Sequence, residues 1–268
     1  MSIHKTVVVH PKAKIRKDVS IGPYSVIGEG VTLNEGVVVG SFCVIEGNTF
    51  VGKNCRFFTG TVIGSIPQDR KFKENNKVYL DIGSDNIFRE YVTVNPGTGD
   101  GGRTTIGNDN LFMAYSHIAH DCRIGNGCIM ANNGTLAGHV TLEDMAVVGG
   151  LSAVHQFVHL GKLSIVGGCS KVVQDVPPFS TCDGHPARVY GLNSIGLKRA
   201  KISLSTLNTL KKAFKLLFHS GLTKEHALGI IRKEFSSSPE LEHLMSFVKA
   251  SKRGLCSSSL REEKTNGF

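Results

Sequence analysis

The chain has 268 residues, long enough to bury one or two hydrophobic cores, and its composition is that of a globular protein. Its formal net charge of +9 suits an acidic partner, but Trp is absent and basic residues do not alternate with aromatic ones, which argues against nucleic-acid binding. No apolar run approaches the roughly 18–20 residues that a membrane-spanning helix needs. Seven cysteines, an odd number at scattered spacings, argue against a disulfide framework and favour a reducing compartment.

Apolar residues recur at every sixth position over residues 9–63, 82–94 and 106–172. Four positions after most of them stands a small or β-branched residue, such as Ser25 or Cys43. A period of six fits neither an α-helix nor a single strand. It predicts short strands wound into a parallel β-helix of about eight coils, with three hexads in each triangular coil of about eighteen residues.

Two segments interrupt the hexads. Residues 65–80 shift the phase and must leave the prism as a loop, whereas residues 97–105 (GTGDGGRTT) replace about one hexad without changing the phase. The glycines of the second segment indicate a flexible excursion. Because loops on a rigid scaffold often carry binding groups, both segments are candidate parts of a site.

The period changes after Pro177 and Pro178, which end the strand pattern. Apolar residues then recur at spacings of three and four, as in an amphipathic helix, up to a stop at Gly221. Thr223 can cap a second helix, and Ser238 opens a third. We expect a β-helix domain over residues 1–185, an α-helical domain over 186–253 and a disordered tail over 254–268. Apolar residues on the flat outer faces predict a homotrimer.

Histidines concentrate on one edge of the predicted prism. Eighteen residues after His120 comes Gly138, beside His139, and eighteen further comes Gln156, beside His155. His117 precedes His120 by three residues. These histidines are open to three interpretations: solvated surface, a zinc site that no acidic or Cys ligand joins, or a general base with oriented helpers.

The third interpretation fits a direct transfer to a bound alcohol, because this edge carries no Ser or Cys nucleophile in a motif. The backbone N–H of Gly138 lies one coil from His120 and could stabilise an oxyanion. Asp121 follows His120 in sequence, but adjacent strand residues point to opposite faces. We therefore expect that Asp121 does not orient His120.

Five segments carry a resemblance to a known family: residues 111–126 (LFMAYSHIAHDCRIGN), 131–150 (ANNGTLAGHVTLEDMAVVGG), 152–158 (SAVHQFV), 166–179 (VGGCSKVVQDVPPF) and 191–199 (GLNSIGLKR). Together they resemble the UDP-N-acetylglucosamine O-acyltransferase family of the hexapeptide-repeat acyltransferase superfamily, whose reaction begins lipid A biosynthesis. The resemblance implies an all-β left-handed parallel β-helix followed by a small C-terminal α-helical domain. The general rule for parallel crossovers predicts the opposite hand, so the left hand comes from the family.

The resemblance also implies the chemistry: a 3-hydroxyacyl group moves from acyl carrier protein to the 3-hydroxyl of UDP-N-acetylglucosamine, with no metal and no cofactor. His120 matches the base, and the backbone of Gly138 matches the oxyanion contact. The implied contacts to the sugar or phosphate are Gln68, Asp69 and Lys71, in a loop that reaches the neighbouring subunit's cleft, and His117, His139 and His155 along the cleft. Gln156 matches a contact to the acyl or pantetheine portion, and Gly168 matches the position at the end of a long acyl chain. Asn193 and Arg199 match contacts to the nucleotide.

Three residues depart from the family pattern. Ile195 stands where an acidic residue is usual, Ala200 where a basic one is, and Arg70 where an apolar one is common. The first two lie on the nucleotide side and imply weaker or rearranged contacts there. A basic cluster nearby is expected to guide the acidic carrier protein, and it consists of Lys198, Arg199, Lys201, Lys211, Lys212 and Lys215.

Three other functions stay open at this point. One is the later N-acyltransferase of the same pathway, which usually carries an additional N-terminal domain before its hexads. Another is a zinc carbonic anhydrase on the same prism, and the third is a non-catalytic hexapeptide-repeat subunit. The expected compartment is the cytoplasm, as for bacterial members of the family, or an organelle matrix such as that of a mitochondrion for a eukaryotic homologue without its presequence.

Overall fold

The computed structural model describes residues 2–258, and most of them wind into a three-sided prism of short parallel strands. Consecutive strands lie on three different faces, and every third strand pairs with its predecessor on the same face. Face A contains β1 (Ser2–Ile3), β4 (Ser20–Ile21), β7 (Val38–Val39), β10 (Arg56–Phe57), β13 (Ile87–Phe88), β16 (Leu111–Phe112), β19 (Ile129–Met130), β22 (Val147–Val148) and β25 (Ile165–Val166), followed by β27 (Ser180–Gly184) and β28 (Ala187–Leu192).

The other two faces are built in the same way. Face B contains β2 (Val8–Val9), β5 (Val26–Ile27), β8 (Val44–Ile45), β11 (Val62–Ile63), β14 (Thr93–Val94), β17 (His117–Ile118), β20 (Thr135–Leu136), β23 (Ala153–Val154) and β26 (Lys171–Val172). Face C contains β3 (Lys14–Ile15), β6 (Thr32–Leu33), β9 (Asn48–Val51), β12 (Tyr79–Ile82), β15 (Arg103–Ile106), β18 (Arg123–Ile124), β21 (Thr141–Leu142) and β24 (His159–Leu160). The prism is a left-handed parallel β-helix, so the predicted fold class is confirmed.

The hexad residues fill the interior of the prism as predicted. Phe57, Phe88 and Phe112 come from successive coils of face A, and their rings stack with centroids 4.8 and 4.9 Å apart. The small residues four positions after each apolar one are also buried, Ser25 and Cys43 among them. All seven cysteines are free thiols, and Cys169 alone among them is exposed.

Most corners of the prism turn through a residue with left-handed backbone dihedrals. At the corner between faces B and C this residue is Asp121 (φ 59°), then His139 (φ 60°) and then Phe157 (φ 66°) in successive coils. A non-glycine residue adopts such a φ only at some energetic cost, so the packed coils must hold it there. Side chains on either side of such a residue no longer alternate as they do along a strand.

Both predicted breaks leave the prism at the same corner. Residues 64–78 connect β11 to β12, and residues 95–102 connect β14 to β15, so both pass from face B to face C. We call them the long loop and the glycine loop. The next corner between these faces, residues 119–122, contains His120. The two excursions and this histidine therefore share one edge of the prism.

The helices follow the prism as the sequence predicts, with one addition. They are α1 (Ser194–Arg199), α2 (Leu204–His219), α3 (Lys224–Glu234) and α4 (Pro239–Ala250), and α1 was not distinguished in the sequence pattern. Thr223 and Ser238 cap α3 and α4, because their side chains accept hydrogen bonds from the backbone N–H groups of His226 and Leu241. No helix within residues 2–258 is long and apolar enough to span a lipid bilayer.

The ends of the domains differ from the expectation. The first strand already begins at Ser2. The predicted domain boundary at residue 186 falls inside the antiparallel hairpin of β27 and β28, and the first helix begins after this hairpin, at Ser194. The predicted disorder is wrong for residues 254–258, where Leu255 bridges Asp175 and Cys256 is buried. The remainder of the predicted tail, residues 259–268, lies outside the described residues.

Candidate active site

A cavity of about 460 Å³ lies at the corner between faces B and C, where the two loops meet the prism. The prism contributes polar and aromatic side chains from three successive coils, and the loops cover them. The lining residues are Asp69, Lys71, Lys73, Asn76, Thr98, Gly99, His120, His139, Gln156 and Phe157. Eighteen-residue winding thus gathers residues that are far apart in sequence.

His120 and Asp121 form a hydrogen-bonded pair in this cavity. Nδ1 of His120 lies 3.0 Å from Oδ2 of Asp121, and both side chains are about 85% buried. The expectation that Asp121 points away from His120 is wrong, because Asp121 is the left-handed corner residue and strand alternation does not apply to it. When Nδ1 donates to this carboxylate, Nε2 keeps its lone pair and can accept a proton.

Asp69 lies on the other side of the imidazole. Its Oδ2 is 4.0 Å from His120 Nε2, and its Oδ1 accepts a hydrogen bond from the backbone N–H of Lys71 at 2.9 Å. The resemblance implies that this loop reaches a neighbouring subunit's cleft. In the structure Asp69 and Lys71 lie at the cavity of their own chain, beside His120, and the reach into a neighbouring subunit's cleft stays a prediction. Gln68 is exposed beside them and does not line the cavity.

Gly138 lies directly beneath the His120 ring. A Cβ at this position would meet Cε1 of His120 at 2.4 Å and Nε2 at 2.6 Å. A glycine is therefore required for the ring to occupy its position. The sequence predicts an oxyanion contact from the Gly138 N–H, and the structure adds the close contact of this glycine with the His120 ring.

His139 occupies the neighbouring position in the cavity. Its ring meets the His120 ring edge-on at 5.2 Å and stacks on Phe157 at 4.6 Å, while its Nε2 lies 3.8 Å from Asp121 Oδ2. Phe157 was missed in the sequence, although it stands eighteen residues after His139. Thr98 of the glycine loop was also missed, since a loop outside the hexad register gives no signal of where its residues lie.

His117 and His155 stand near the cavity without lining it. His117 lies on face B, where its Nδ1 is 2.6 Å from Thr93 Oγ1. Burial, with a smaller effect of the nearby His120, lowers the pKa of His117. His155 is exposed, and its Nδ1 contacts the backbone carbonyl of Gln156 at 3.1 Å. The single chain thus brings together His120, His139 and Gln156 of the predicted edge.

The other predicted site residues lie at different corners. Gly168 is at the corner between faces A and B, which follows β25. Asn193 caps α1, accepts a hydrogen bond from the Gly196 N–H, and donates to the carbonyl of Leu163 at the corner between faces C and A. Arg199 and Ile195 are exposed on the same short helix. One copy of the chain does not gather these residues around His120.

The cavity also offers a set of groups that could hold a cation. Ligand atoms of His120, Asp121 and His139 lie within 4.8 Å of one another, so the expectation that no acidic group joins the histidines is wrong. Lys71 and Lys73 line the same cavity. Their ammonium groups oppose a divalent cation and favour an anionic ligand such as a phosphate.

Comparison with known protein families and structures gives concordant matches. The model for bacterial transferase hexapeptide repeats matches residues 1–35 and 103–138, and the model for the second domain of UDP-N-acetylglucosamine O-acyltransferase matches residues 175–256. A relative from Thermodesulfovibrio yellowstonii, named acyl-[acyl-carrier-protein]–UDP-N-acetylglucosamine O-acyltransferase, is 49% identical over 255 residues, 95% of this chain and 98% of the relative. A relative of the same name from Gloeothece citriformis is 46% identical over 73% of this chain and 70% of its own length.

Solved structures of UDP-N-acetylglucosamine acyltransferases are similar over nearly the whole chain. The enzyme of Moraxella catarrhalis is 37% identical with a TM-score of 0.91, and the alignment covers 96% of this chain and 100% of that one. The Arabidopsis enzyme is 34% identical with a TM-score of 0.81, and the alignment covers 95% and 100%. Since identity and coverage are both high, this chain belongs to the UDP-N-acetylglucosamine O-acyltransferase family.

Proposed function

We propose that this enzyme, an acyl-[acyl-carrier-protein]–UDP-N-acetylglucosamine O-acyltransferase of lipid A biosynthesis like its curated relatives, uses His120 as its general base. The observation that carries the proposal is the His120–Asp121 pair, 3.0 Å apart, at a cavity whose other side holds Asp69 and two lysines. The family excludes the N-acyltransferase, carbonic anhydrase and non-catalytic alternatives.

In the proposed reaction, Nε2 of His120 takes the proton of the sugar 3-hydroxyl as its oxygen attacks the thioester carbonyl carbon. The carbon–oxygen bond forms, the carbon–sulfur bond breaks, and the imidazolium returns the proton to the departing pantetheine thiolate. Asp121 stabilises the imidazolium while it exists. The Gly138 backbone is one coil away and supplies the proposed oxyanion contact.

A direct transfer is favoured over a covalent intermediate on a cysteine. Cys122 is the cysteine of this corner, and it is fully buried with its Sγ 3.2 Å from the Ala137 carbonyl. Burial raises the pKa of the Cys122 thiol to about 12. Because the thiolate is the reactive form, this cysteine stays inert near neutral pH.

The substrate contacts beyond the cavity support a homotrimer. Gly168 lies at another corner of the prism, and Asn193 and Arg199 belong to α1 and its cap, so we propose that they reach the substrate at His120 from an adjacent copy. The corner that holds Gly168 also exposes a column of apolar side chains: Tyr24, Phe42, Tyr91, Tyr115 and Leu151. We propose that this column packs against the next subunit and places its Gly168 at the acyl chain, where a residue without a side chain admits a long 3-hydroxyacyl group.

The remaining partners follow from the same assignment. The basic cluster on α1, α2 and the segment between them is exposed and is proposed to guide the carrier protein. Both compartments stay as proposed, the bacterial cytoplasm or an organelle matrix, since the relatives include bacterial and plant proteins.

The test is incubation with UDP-N-acetylglucosamine and a set of 3-hydroxyacyl carrier proteins, with the products identified by mass. We expect a single ester at the sugar hydroxyl and the highest rate with a long acyl chain. His120→Ala should lower turnover by roughly two to four orders of magnitude, the usual contribution of a general base. His226→Ala, an exposed histidine of α3, is the matched control. An unchanged rate for His120→Ala with intact folding would remove the mechanism.

A further inference from the structure

Thr98 contacts the carboxylate oxygen that orients His120. Its backbone N–H donates to Asp121 Oδ2 at 3.1 Å, and its Oγ1–H donates to the same oxygen at 2.7 Å. This oxygen also lies 3.0 Å from His120 Nδ1. Three donors thus converge on one atom, and two of them come from a single residue of the glycine loop.

The other side of Thr98 contacts the long loop. The Thr98 carbonyl accepts a hydrogen bond from Asn76 Nδ2 at 2.9 Å. Two more bonds join the loops, from the Lys77 N–H to Asp100 Oδ1 at 2.9 Å and from the Gly101 N–H to the Lys77 carbonyl at 2.8 Å. The long loop carries Asp69, 4.0 Å from His120 Nε2. The glycine loop therefore lies between the catalytic pair and the segment that faces the substrate.

We propose that Thr98 is a positioning residue, whose hydroxyl fixes the Asp121 carboxylate and through it the His120 ring, while its carbonyl holds the long loop at the cavity. The inference rests on the proposed function, because it requires His120 to be the base. The hydroxyl and the backbone carbonyl of Thr98 should affect different kinetic constants, kcat and KM respectively. The hydroxyl acts on the chemical step, and the carbonyl acts on the binding of the sugar nucleotide.

The hydroxyl matters because it supplies the shorter of the two hydrogen bonds that the glycine loop makes to Asp121 Oδ2. A carboxyl group rotates about its bond to Cβ, and the Thr98 N–H by itself leaves Oδ2 with one loop contact. A hydrogen bond to a charged group is stronger than one between neutral groups, so its loss in the transition state should lower the rate about tenfold, which corresponds to about 1.4 kcal/mol. Charged and titratable groups around the pair are Asp69, Lys71 and Lys73 on the long loop and His117 and His139 on the prism.

The first experiment separates the hydroxyl from the shape of the residue. Thr98→Val keeps the branched side chain, the N–H and the carbonyl, and removes the donor. We expect kcat for acyl transfer to fall about tenfold with KM for UDP-N-acetylglucosamine unchanged, and Thr98→Ser to restore kcat. Thr105→Val, in β15 outside the cavity, is the matched control. Melting temperatures of all variants establish that they are folded.

The second experiment tests the carbonyl contact. Asn76→Leu has a side chain of similar size that cannot donate to Thr98, so the long loop loses one of its anchors. We expect KM for UDP-N-acetylglucosamine to rise severalfold and kcat to stay nearly unchanged, which is the reverse of the result expected for Thr98→Val. Thr98→Val combined with Asn76→Leu should show both effects together.

The outcomes distinguish this inference from the proposed function. If His120→Ala abolishes turnover and Thr98→Val has the kcat of the original enzyme, Thr98 is not a positioning residue and the base assignment stands. The inference is also overturned if Ser does not restore kcat, or if Thr98→Val causes the same fold loss in the His120→Ala background. If His120→Ala keeps full turnover, the proposed function itself fails.

Discussion

The catalytic pair depends on the backbone conformation of one residue. Asp121 has a φ of 59°, and this conformation lets two adjacent residues, His120 and Asp121, face the same cavity. The same feature recurs one coil later, where His139 holds the left-handed position and contacts both members of the pair. Gly138 between them is the residue whose missing side chain leaves room for the ring.

Gly138→Ala distinguishes two roles of this glycine. Alanine keeps the backbone N–H, so an oxyanion contact alone would survive the change. An added Cβ would collide with the His120 ring at 2.4 Å and displace it. We expect a loss of turnover of about 100-fold, because misplacing a reacting group by about 1 Å has that effect.

The double variant completes this test. In the His120→Ala background the Gly138→Ala change has no ring to displace, and it should cause no further loss. The measurement is the steady-state turnover of the original enzyme, of each single variant and of the double variant. A single Gly138→Ala variant with normal turnover would show that the ring tolerates the methyl group.

At the scale of the elements, the glycine loop is held closely rather than being the flexible excursion that its composition predicts. A Cβ on Gly97 would meet the Gly102 carbonyl carbon at 2.1 Å and the Arg103 nitrogen at 2.2 Å, both backbone atoms. The Gly102 N–H donates to the Gly99 carbonyl at 2.7 Å. The glycines serve close backbone packing, and this packing places Thr98 against Asp121.

Gly97→Ala should therefore open the loop while the prism stays folded. We expect faster hydrogen exchange at the amides of Gly101 and Gly102, whose hydrogen bonds close the loop, with unchanged exchange in the strands. Gly99→Ala is the matched control, since a Cβ there meets nothing within 4 Å and should leave these amides protected. Equal protection in both variants would contradict the packing argument.

At the scale of the whole molecule, a carboxylate joins the prism to the helices. Glu143 lies on the prism, with Oε1 3.0 Å from His159 Nε2 and Oε2 2.7 Å from His243 Nε2 on α4. Its Oε2 also accepts from the Lys162 N–H at 2.7 Å. Burial by itself would raise the pKa of Glu143, but the hydrogen bonds from the two histidines outweigh it and lower the pKa to about 2.

The stability of this contact should depend on pH. A carboxyl whose pKa is lowered in the folded state stabilises the protein above its ordinary value of 4.5, and the contribution disappears as pH falls towards 2. We expect Glu143→Gln to lower the stability at pH 7 by about 2 kcal/mol, and the difference in melting temperature to shrink between pH 4.5 and pH 3. Glu234→Gln, exposed at the end of α3, is the control. A difference independent of pH would show that charge is not the cause.

A second prediction for the whole molecule concerns the association of its subunits. If the apolar column between faces A and B forms the subunit contact, Tyr115→Asp should convert the trimer into monomers and abolish turnover, since Gly168 would no longer reach a neighbouring cavity. Tyr115 is 57% exposed and stacks on Tyr91 at 5.1 Å, so the change leaves the interior intact. Sedimentation with a parallel activity assay gives the result. A stable monomer with full activity would disprove the shared site.

The sequence by itself determined what depends on local repetition. The burial of one residue in six, the small residues beside the corners, the caps at Thr223 and Ser238, and the column of His120, Gly138 and Gln156 all follow from spacing. These features can be predicted from the sequence because each coil makes the same contacts with the coil before it, so the spacing of residues in one coil applies to the others.

Only the tertiary structure decided what depends on the path of the chain outside that repeat. The hexad pattern shows that two segments leave the prism, but it does not show that both return at the corner of His120 or that Thr98 reaches Asp121. It also treats Asp121 as a strand residue, although the corner holds it in a left-handed conformation. The physical reason is that periodicity records which residues are buried, whereas the positions of loops and corner side chains are set by close contacts between segments that share no register.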